Sequence, residues 1–149
     1  MKKVDKRYTV APGDYFNAGS ASSDIKKVLR SKQLDKDLIK RVSVAAYEAE
    51  INLVIHSLGG TVDFKWIDDT IYLQFCDIGP GIPDIPLAMT PGYSTADETS
   101  RLNGFGAGMG LTNIQKASDE MTLISDPNGT ILKLVFHVKE ASDDPSRTD

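Results

Sequence analysis

The sequence predicts an α+β fold, a two-layer sandwich in which helices cover one face of a mixed, mostly antiparallel sheet. The first observation is composition: of 149 residues, 40% are hydrophobic and 26% are charged, a balance typical of one soluble domain with a buried core. The second is the order of the elements that the residue pattern predicts, β-α-α-β-β-loop-α-β-β, which suits two layers of helices and strands.

The first half of the chain predicts one strand and two helices. Residues 7–12 alternate polar and apolar side chains and stop at a proline, which is typical of a short strand. Residues 20–33 open with N-capping residues and carry apolar side chains at helical spacing. Asp35 can cap the longest helix, over roughly 36–58, which ends at two consecutive glycines.

The second half predicts two hairpins with a loop and a helix between them. Residues 61–69 and 70–77 are strand-like and turn at two aspartates. A glycine- and proline-rich stretch follows over 79–110, with a short helix near 84–89. The remaining predicted elements are a helix over 110–120 and two strands, 121–126 and 130–138, about a turn at 127–129. The polar tail, 139–149, has no periodicity and is expected to be disordered, which leaves a domain over 1–138.

Charge and cysteine content exclude several classes of protein. The net charge is −4, and no basic stripe emerges that would neutralise the phosphates of a nucleic acid. The single cysteine, Cys76, excludes an intramolecular disulfide framework and a cysteine-rich zinc site. The start of the chain lacks a signal-peptide pattern, and no run of 18 apolar residues occurs. We therefore expect a cytoplasmic protein that binds neither membrane nor nucleic acid.

The segment GFGAGMGLTN, residues 104–113, places four glycines at alternate positions before a predicted helix. The spacing does not fit the G-x-G-x-x-G dinucleotide motif, and the P-loop lysine is missing because Leu111 follows Gly110. With both motifs excluded, the glycine segment still has backbone amides that can reach an anion, and the helix N-terminus that follows it favours phosphate. The alternative is a mobile surface loop with a glycine hinge.

A second glycine-rich site, CDIGPGIPD, follows the apolar strand that ends near Asp77. Here Gly79 and Gly81 would leave space for a flat group to approach the backbone beside a carboxylate. The alternative is an ordinary turn, since glycine and proline are common turn formers.

The long helix carries polar groups at the margin of its apolar stripe. Glu48 and Asn52 are four residues apart, so their side chains stand one above the other, whereas Glu50 projects to the far side. A carboxylate beside an amide oxygen at the core margin could serve a hard cation or a proton transfer. The alternative is an ordinary solvated helix edge.

These motifs form an ordered set: E-x-x-x-N on a long helix, D-x-G-x-G after a strand, G-x-G-x-G opening a helix, and G-T in a hairpin. In this order and spacing they resemble the GHKL ATPase superfamily of gyrase, heat-shock chaperone, histidine-kinase and mismatch-repair ATPases. The resemblance covers about residues 7–138 and is strongest to the free-standing anti-sigma-factor and stressosome serine kinases, through YTVAPGDYFNAGSASSDIKKVL and EAEINLVIH. It implies the Bergerat ATP-binding fold.

The resemblance also implies a role for each matching residue, with ATP and Mg²⁺ as the bound groups. Glu48 would be the catalytic base that deprotonates the attacking hydroxyl, and Asn52 would bind Mg²⁺ through its side-chain oxygen. Asp77 would accept a hydrogen bond from the adenine amino group, and Thr130 would lie near the adenine. The other nucleotide-binding residues implied are Gly79, Gly81, Ile82, Ser94, Thr95, Arg101, Gly106, Ala107, Gly108, Met109, Gly110 and Leu111.

The sequence departs from the family pattern at two places. Leu53 follows the asparagine where these kinases usually have a small residue, which would alter packing more than chemistry. The lid expected over 91–104 has no lysine, so contact with phosphate there would depend on Ser94, Thr95 or Arg101.

The function that the resemblance implies is an ATP- and Mg²⁺-dependent serine/threonine protein kinase that phosphorylates a small anti-sigma-antagonist-like protein and so regulates transcription. Its partners would be that antagonist, a sigma factor or a phosphatase, and a homodimer is possible. The alternative is a binding module in which nucleotide only sets the lid conformation. A histidine kinase is disfavoured because His56 lies in the long helix and His137 in the last strand, where neither suits a phosphoacceptor.

Overall fold

The computed structural model describes residues 2–79, 89 and 110–138. The elements in chain order are β1 (Lys2–Val10), α1 (Ser20–Ser31), α2 (Lys36–His56), β2 (Gly60–Ile67), β3 (Thr70–Asp77), α3 (Gly110–Ala117), β4 (Glu120–Asp126) and β5 (Gly129–His137). The described strands form one sheet in the order β1-β2-β3-β5-β4, and each neighbouring pair is antiparallel. The predicted α+β class is confirmed.

The core lies between the helices and one face of the sheet. The central strands bury alternate side chains, as Val62, Phe64 and Trp66 of β2 show, so one face of the sheet meets the helices. Helix α2 crosses this face with a buried stripe, which consists of Leu38, Val42, Ala46, Ala49 and Leu53. No helix in the described ranges is both long enough and apolar enough to cross a membrane.

Strand β1 differs from its predicted bounds of 7–12 at both ends. It starts at Lys2, among charged residues that show no apolar alternation, because it pairs along its length with β2 and its outer side chains remain solvated. The Arg7 side chain, for example, donates to Asp63 Oδ1 at 2.7 Å. The strand ends at Val10 since the chain then turns onto α2, where the Gly13 N–H donates to the Val54 carbonyl at 2.9 Å.

The last predicted helix, 110–120, is shorter in the structure. It ends at Ala117 because the Asp119 N–H donates to the Val135 carbonyl at 2.9 Å, which draws the chain into the sheet. Apart from Met89, the short helix predicted near 84–89 lies outside the described residues, as does the tail over 139–149. The domain boundary at 138 therefore stays a prediction.

Glu50 caps helix α1 from the neighbouring helix. The residue that precedes α1, Gly19, has no side chain to cap it, and the N–H groups of Gly19, Ala21 and Ser22 donate instead to the Glu50 carboxylate at 3.0, 3.2 and 2.9 Å. Glu50 is only 2% exposed. It points away from Glu48, as predicted, and joins α1 to the segment of α2 that carries the candidate catalytic residues.

Candidate functional site

Glu48 and Asn52 lie where α2 meets the first residue of α3. Both side chains are half-buried, and their spacing puts them one turn apart on the helix. Gly110 is so close that a Cβ added to it would lie 3.4 Å from Glu48 Oε2 and 3.5 Å from Asn52 Oδ1. The fold thus brings the helix pair and the end of the glycine segment into one site.

Asn113 is a polar neighbour of Glu48 that the sequence analysis missed. It lies three residues after Gly110, on the same side of α3. Burial raises the pKa of Glu48 above its ordinary value, and a hydrogen bond from the Asn113 side chain opposes that rise. The amide thereby favours the ionised form of a carboxyl that burial makes more basic. The signal in the sequence was the i, i+3 spacing from the last loop glycine.

Arg41 holds the other end of α3 against α2. Its Nη1 donates to the Ala117 carbonyl at 3.1 Å and lies 3.6 Å from Asp119 Oδ2. A cation at the last carbonyls of a helix also interacts favourably with the helix dipole. Arg41 precedes Glu48 by seven residues on α2, and Ala117 follows Gly110 by seven residues on α3. The two contacts are therefore consistent with antiparallel helices in one fixed register.

A second group of predicted residues gathers where β3 ends. Asp77 Oδ1 accepts a hydrogen bond from the Thr130 N–H at 2.7 Å, and the Thr130 hydroxyl lies 2.8 Å from Ser125 Oγ. Burial raises the pKa of Asp77, while the bond from Thr130 opposes that rise. Within the described ranges no other donor contacts this carboxylate.

Glycines allow the chain to approach itself closely beside Asp77. Gly129 has φ +157°, and a Cβ on it would come within 2.2 Å of the Asp77 carbonyl. A Cβ on Gly79 would come within 2.5 Å of the Pro127 carbonyl, and the Gly79 N–H donates to the Asn128 carbonyl at 2.6 Å. The space beside Gly79, expected to admit a flat group, thus holds the backbone of the β4–β5 turn on one side.

The described part of the chain contains seven of the residues predicted to bind nucleotide or act in catalysis. Leu111, one of them, is partly buried against the hydrophobic core and so anchors the start of α3. The other six are Glu48, Asn52, Asp77, Gly79, Gly110 and Thr130. Outside the described residues lie Gly81, Ile82, Ser94, Thr95, Arg101, Gly106, Ala107, Gly108 and Met109.

The side-chain oxygen of Asn52, beside Glu48, fits a magnesium ion that arrives with a nucleotide. Among the described residues, no three His, Cys, Asp or Glu side chains are placed to hold a metal ion. Mg²⁺ prefers oxygen ligands and commonly binds through one or two protein groups together with water and phosphate. The Asn52 amide oxygen, next to Glu48 and a helix N-terminus, is a ligand of the type that such an ion prefers.

Comparison with known proteins shows the family of the chain. The family described as histidine kinase-like ATPase domain matches residues 13–136. The anti-sigma F factor of Caldanaerobacter subterraneus subsp. tengcongensis is 32% identical over 114 residues, which cover 71% of this chain and 76% of that protein. The anti-sigma F factor of Bacillus velezensis is 30% identical over 118 residues, or 73% of this chain and 77% of that protein.

A solved structure shows the same fold. The crystal structure of the RsbU and RsbW domains of a Mycobacterium tuberculosis protein superposes with a TM-score of 0.59 at 16% identity, over 89% of this chain and 32% of that longer chain. At this identity the likeness to the solved structure concerns the fold alone. The family match over residues 13–136 includes the candidate residues around Glu48 and those around Asp77. The chain therefore belongs to the histidine kinase-like ATPase domain family, in the branch that contains the anti-sigma F factors.

Proposed function

We propose that the protein is an ATP- and Mg²⁺-dependent serine/threonine kinase that phosphorylates a small anti-sigma-antagonist-like protein in the cytoplasm. The observation that carries the proposal is the meeting of Glu48, Asn52 and Gly110. Phosphoryl transfer to a hydroxyl needs a base, a ligand for the metal ion and donors for the phosphates. A half-buried carboxylate, an amide oxygen and a helix N-terminus can fill these three roles.

Glu48 is the proposed general base. As the acceptor hydroxyl oxygen forms its bond to the γ-phosphorus, a Glu48 oxygen takes the hydroxyl proton, and the bond from the γ-phosphorus to the bridging oxygen of ADP breaks. The Asn113 amide holds the carboxylate in place during this transfer. Asn52 would hold Mg²⁺, which when bound neutralises charge on the phosphates.

Asp77 is the proposed recognition group for adenine. The Thr130 N–H occupies Oδ1, which fixes the carboxylate plane and leaves Oδ2 to accept from an exocyclic amino group. Guanine carries a carbonyl at the equivalent ring position, and that oxygen would face the carboxylate without a proton between them. The site is thus expected to prefer ATP over GTP.

Calorimetry of nucleotide binding tests the site itself. We expect saturable binding of ATP that is stronger with Mg²⁺ and that is lost in Asp77→Asn, because the amide can present an N–H where adenine also donates. The matched control is Asp69→Asn, the same substitution just before β3. Equal affinity in wild type and Asp77→Asn would remove Asp77 from the nucleotide site.

Phosphotransfer is tested with labelled ATP and the purified small anti-sigma-antagonist-like proteins of the source genome. We expect transfer to a serine or threonine of one of them, and its loss in Glu48→Gln with ATP affinity retained. Full transfer by Glu48→Gln would exclude Glu48 as the base. Nucleotide-dependent binding of a partner without any transfer would support the binding module instead.

A further inference from the structure

We propose that the outer side of helices α1 and α2 is the docking surface for the phosphoacceptor protein and that this partner presents an acidic face to it. The inference rests on the proposed kinase function and adds where the acceptor binds and what recognises it. The docking surface consists of Lys26 and Arg30 of α1 and Lys36, Lys40, Val44 and Tyr47 of α2.

The first argument is the uneven distribution of charge. Residues 20–41 carry seven Lys or Arg and three Asp, a net charge of +4, in a chain whose net charge is −4. Of the three acids, Asp24 pairs with Lys6 and Asp37 pairs with Arg41. In the described part of the chain, none of the four cations of the docking surface forms an ion pair. They are therefore available to a partner of opposite charge.

The second argument is the direction in which these side chains run. Lys36, Lys40 and Val44 follow one another at four-residue spacing along α2, and the next two positions of the same row are Glu48 and Asn52. Such residues form one continuous ridge on a helix. The cations begin about 12 Å from Glu48 and reach about 18 Å from it along the helix axis. A small protein bound to Lys36 and Lys40 would therefore lie beside Glu48 as well.

The third argument is that the described elements cover Glu48 on its other sides. Helix α3 lies on one flank with Gly110, and Glu50 on the far side of α2 is buried against α1. The inner stripe of α2 is core. Among the described elements, no helix or strand covers the outer ridge at Lys36, Lys40 and Val44, whose side chains are exposed.

The surface also offers an apolar anchor between the cations and the base. Val44 is 40% exposed and Tyr47 is 42% exposed. The start of α1 packs against Tyr47, since a Cβ on Gly19 would lie 3.2 Å from the tyrosine ring. Apolar and aromatic groups flanked by charges are typical of protein–protein interfaces. This combination favours an acidic protein over a nucleic acid, which would need phosphate contacts throughout.

Charge reversal on full-length protein tests the proposal. The test variants are Lys36→Glu/Lys40→Glu on α2 and, independently, Lys26→Glu/Arg30→Glu on α1. The control is Lys65→Glu/Lys133→Glu, which makes the same change in net charge at exposed residues on the opposite face of the sheet. The acceptors are the purified small anti-sigma-antagonist-like proteins of the source genome, and a 20-base-pair DNA duplex is the nucleic-acid probe.

We expect both test variants to bind ATP as wild type does and to raise the KM for the phosphorylated acceptor about tenfold, with the difference shrinking as salt is added. The control should stay within about twofold of wild type. Transfer with an unchanged KM in both test variants would overturn the docking surface and leave the kinase proposal standing.

Two further outcomes separate the docking surface from the kinase proposal. If an acceptor binds without being phosphorylated and both test variants weaken that binding, the kinase proposal fails and the docking surface is supported. If no acceptor binds, or if charge reversal abolishes DNA binding and leaves acceptor binding intact, the acidic protein is the wrong occupant and the docking proposal is overturned.

Discussion

Glu48, the proposed base, has a carboxyl whose burial lowers the stability of the folded protein when the group is ionised. Its carboxyl is half-buried, and burial raises its pKa even though Asn113 donates to it. Folding therefore favours the protonated form of this group. The stabilisation is fully present below the ordinary pKa of glutamate and is lost as pH rises through the raised pKa. Above that pH, the folded protein carries a partly desolvated charge.

Replacing Glu48 by Gln should consequently stabilise the protein in the absence of nucleotide. We expect a higher Tm than wild type at pH 7 to 8 and a gain that shrinks as pH falls to about 4, because wild-type Glu48 then becomes neutral as well. Thermal unfolding in buffers with EDTA measures this. Asp69→Asn, which removes an exposed carboxyl, is the control and should leave the Tm close to that of wild type at each pH. A lower Tm for Glu48→Gln throughout would contradict the argument.

Asn113 offers a second prediction at the level of one residue. Asn113→Leu keeps a similar volume but removes the donor to Glu48, so the carboxylate loses both orientation and a bond that favours its ionised form. We expect kcat for phosphotransfer to fall about tenfold and its pH profile to move to higher pH, with ATP affinity unchanged. Gln115→Leu removes an exposed amide from the same helix and should leave kcat unaltered. A fall in ATP affinity with an unchanged pH profile would instead indicate a structural role.

At the scale of the elements, the position of Asp77 depends on how closely β3 and β5 can pack. Gly129 begins β5 directly against the carbonyl of Asp77, and the next residue, Thr130, donates to the Asp77 carboxylate. A side chain at position 129 would force the two strands apart at the point where the carboxylate is held. The same change would therefore weaken the sheet and misplace the proposed adenine acceptor.

We expect Gly129→Ala to lower the free energy of unfolding by about 1 to 3 kcal/mol and to weaken ATP binding at least tenfold. Gly13→Ala is the matched control, since Gly13 has φ +66° but no atom within 4 Å of an added Cβ. Gly13→Ala should lower the free energy of unfolding by only about 1 kcal/mol, because of the backbone conformation, and should leave ATP affinity intact. Denaturant unfolding and calorimetry measure both quantities. Equal loss of ATP affinity in the two variants would show that contact with Asp77 is not the cause.

The sequence predicts those elements whose signal is local. The stripe of α2 and the turns of the two hairpins depend on neighbours a few residues apart, and both were predicted near their true positions. Strand β1 was predicted too late in the chain because its charged residues gain order from pairing with β2, about fifty residues further on. Helical spacing placed Glu50 on the far side of α2 but could not indicate its bonds to α1, which depend on how the two helices pack.

In the candidate site, too, some features follow from local sequence and others depend on contacts between distant parts of the chain. Motif order predicts Glu48, Asn52 and Asp77 as site residues, and each residue type suits its proposed chemistry. The contact of Gly110 with the first two depends on the antiparallel packing of α3, and Arg41 fixes that packing through a backbone carbonyl. A carbonyl is present at every residue, so no sequence pattern indicates which one a distant arginine will bind.

At the scale of the whole molecule, the proposed ligand would join the two layers of the fold. Its adenine would bind Asp77 on the sheet, and its phosphates would bind at Asn52 and Gly110 in the helix layer. A ligand that binds only the folded state stabilises it by mass action, by about 2.7 kcal/mol at a hundred times Kd. For a domain of this size that corresponds to a rise in Tm of about 5 to 10 °C.

We therefore expect ATP with Mg²⁺ to raise the Tm by that amount, as measured by differential scanning calorimetry. ATP with EDTA should give a smaller rise because Asn52 then loses the ion that links it to the phosphates. Asp77→Asn should abolish the rise with either addition, and GTP with Mg²⁺ should give none. If Asp77→Asn retained the full rise, nucleotide would be held by the helix layer alone, and the sheet would contribute the fold but no part of the binding energy.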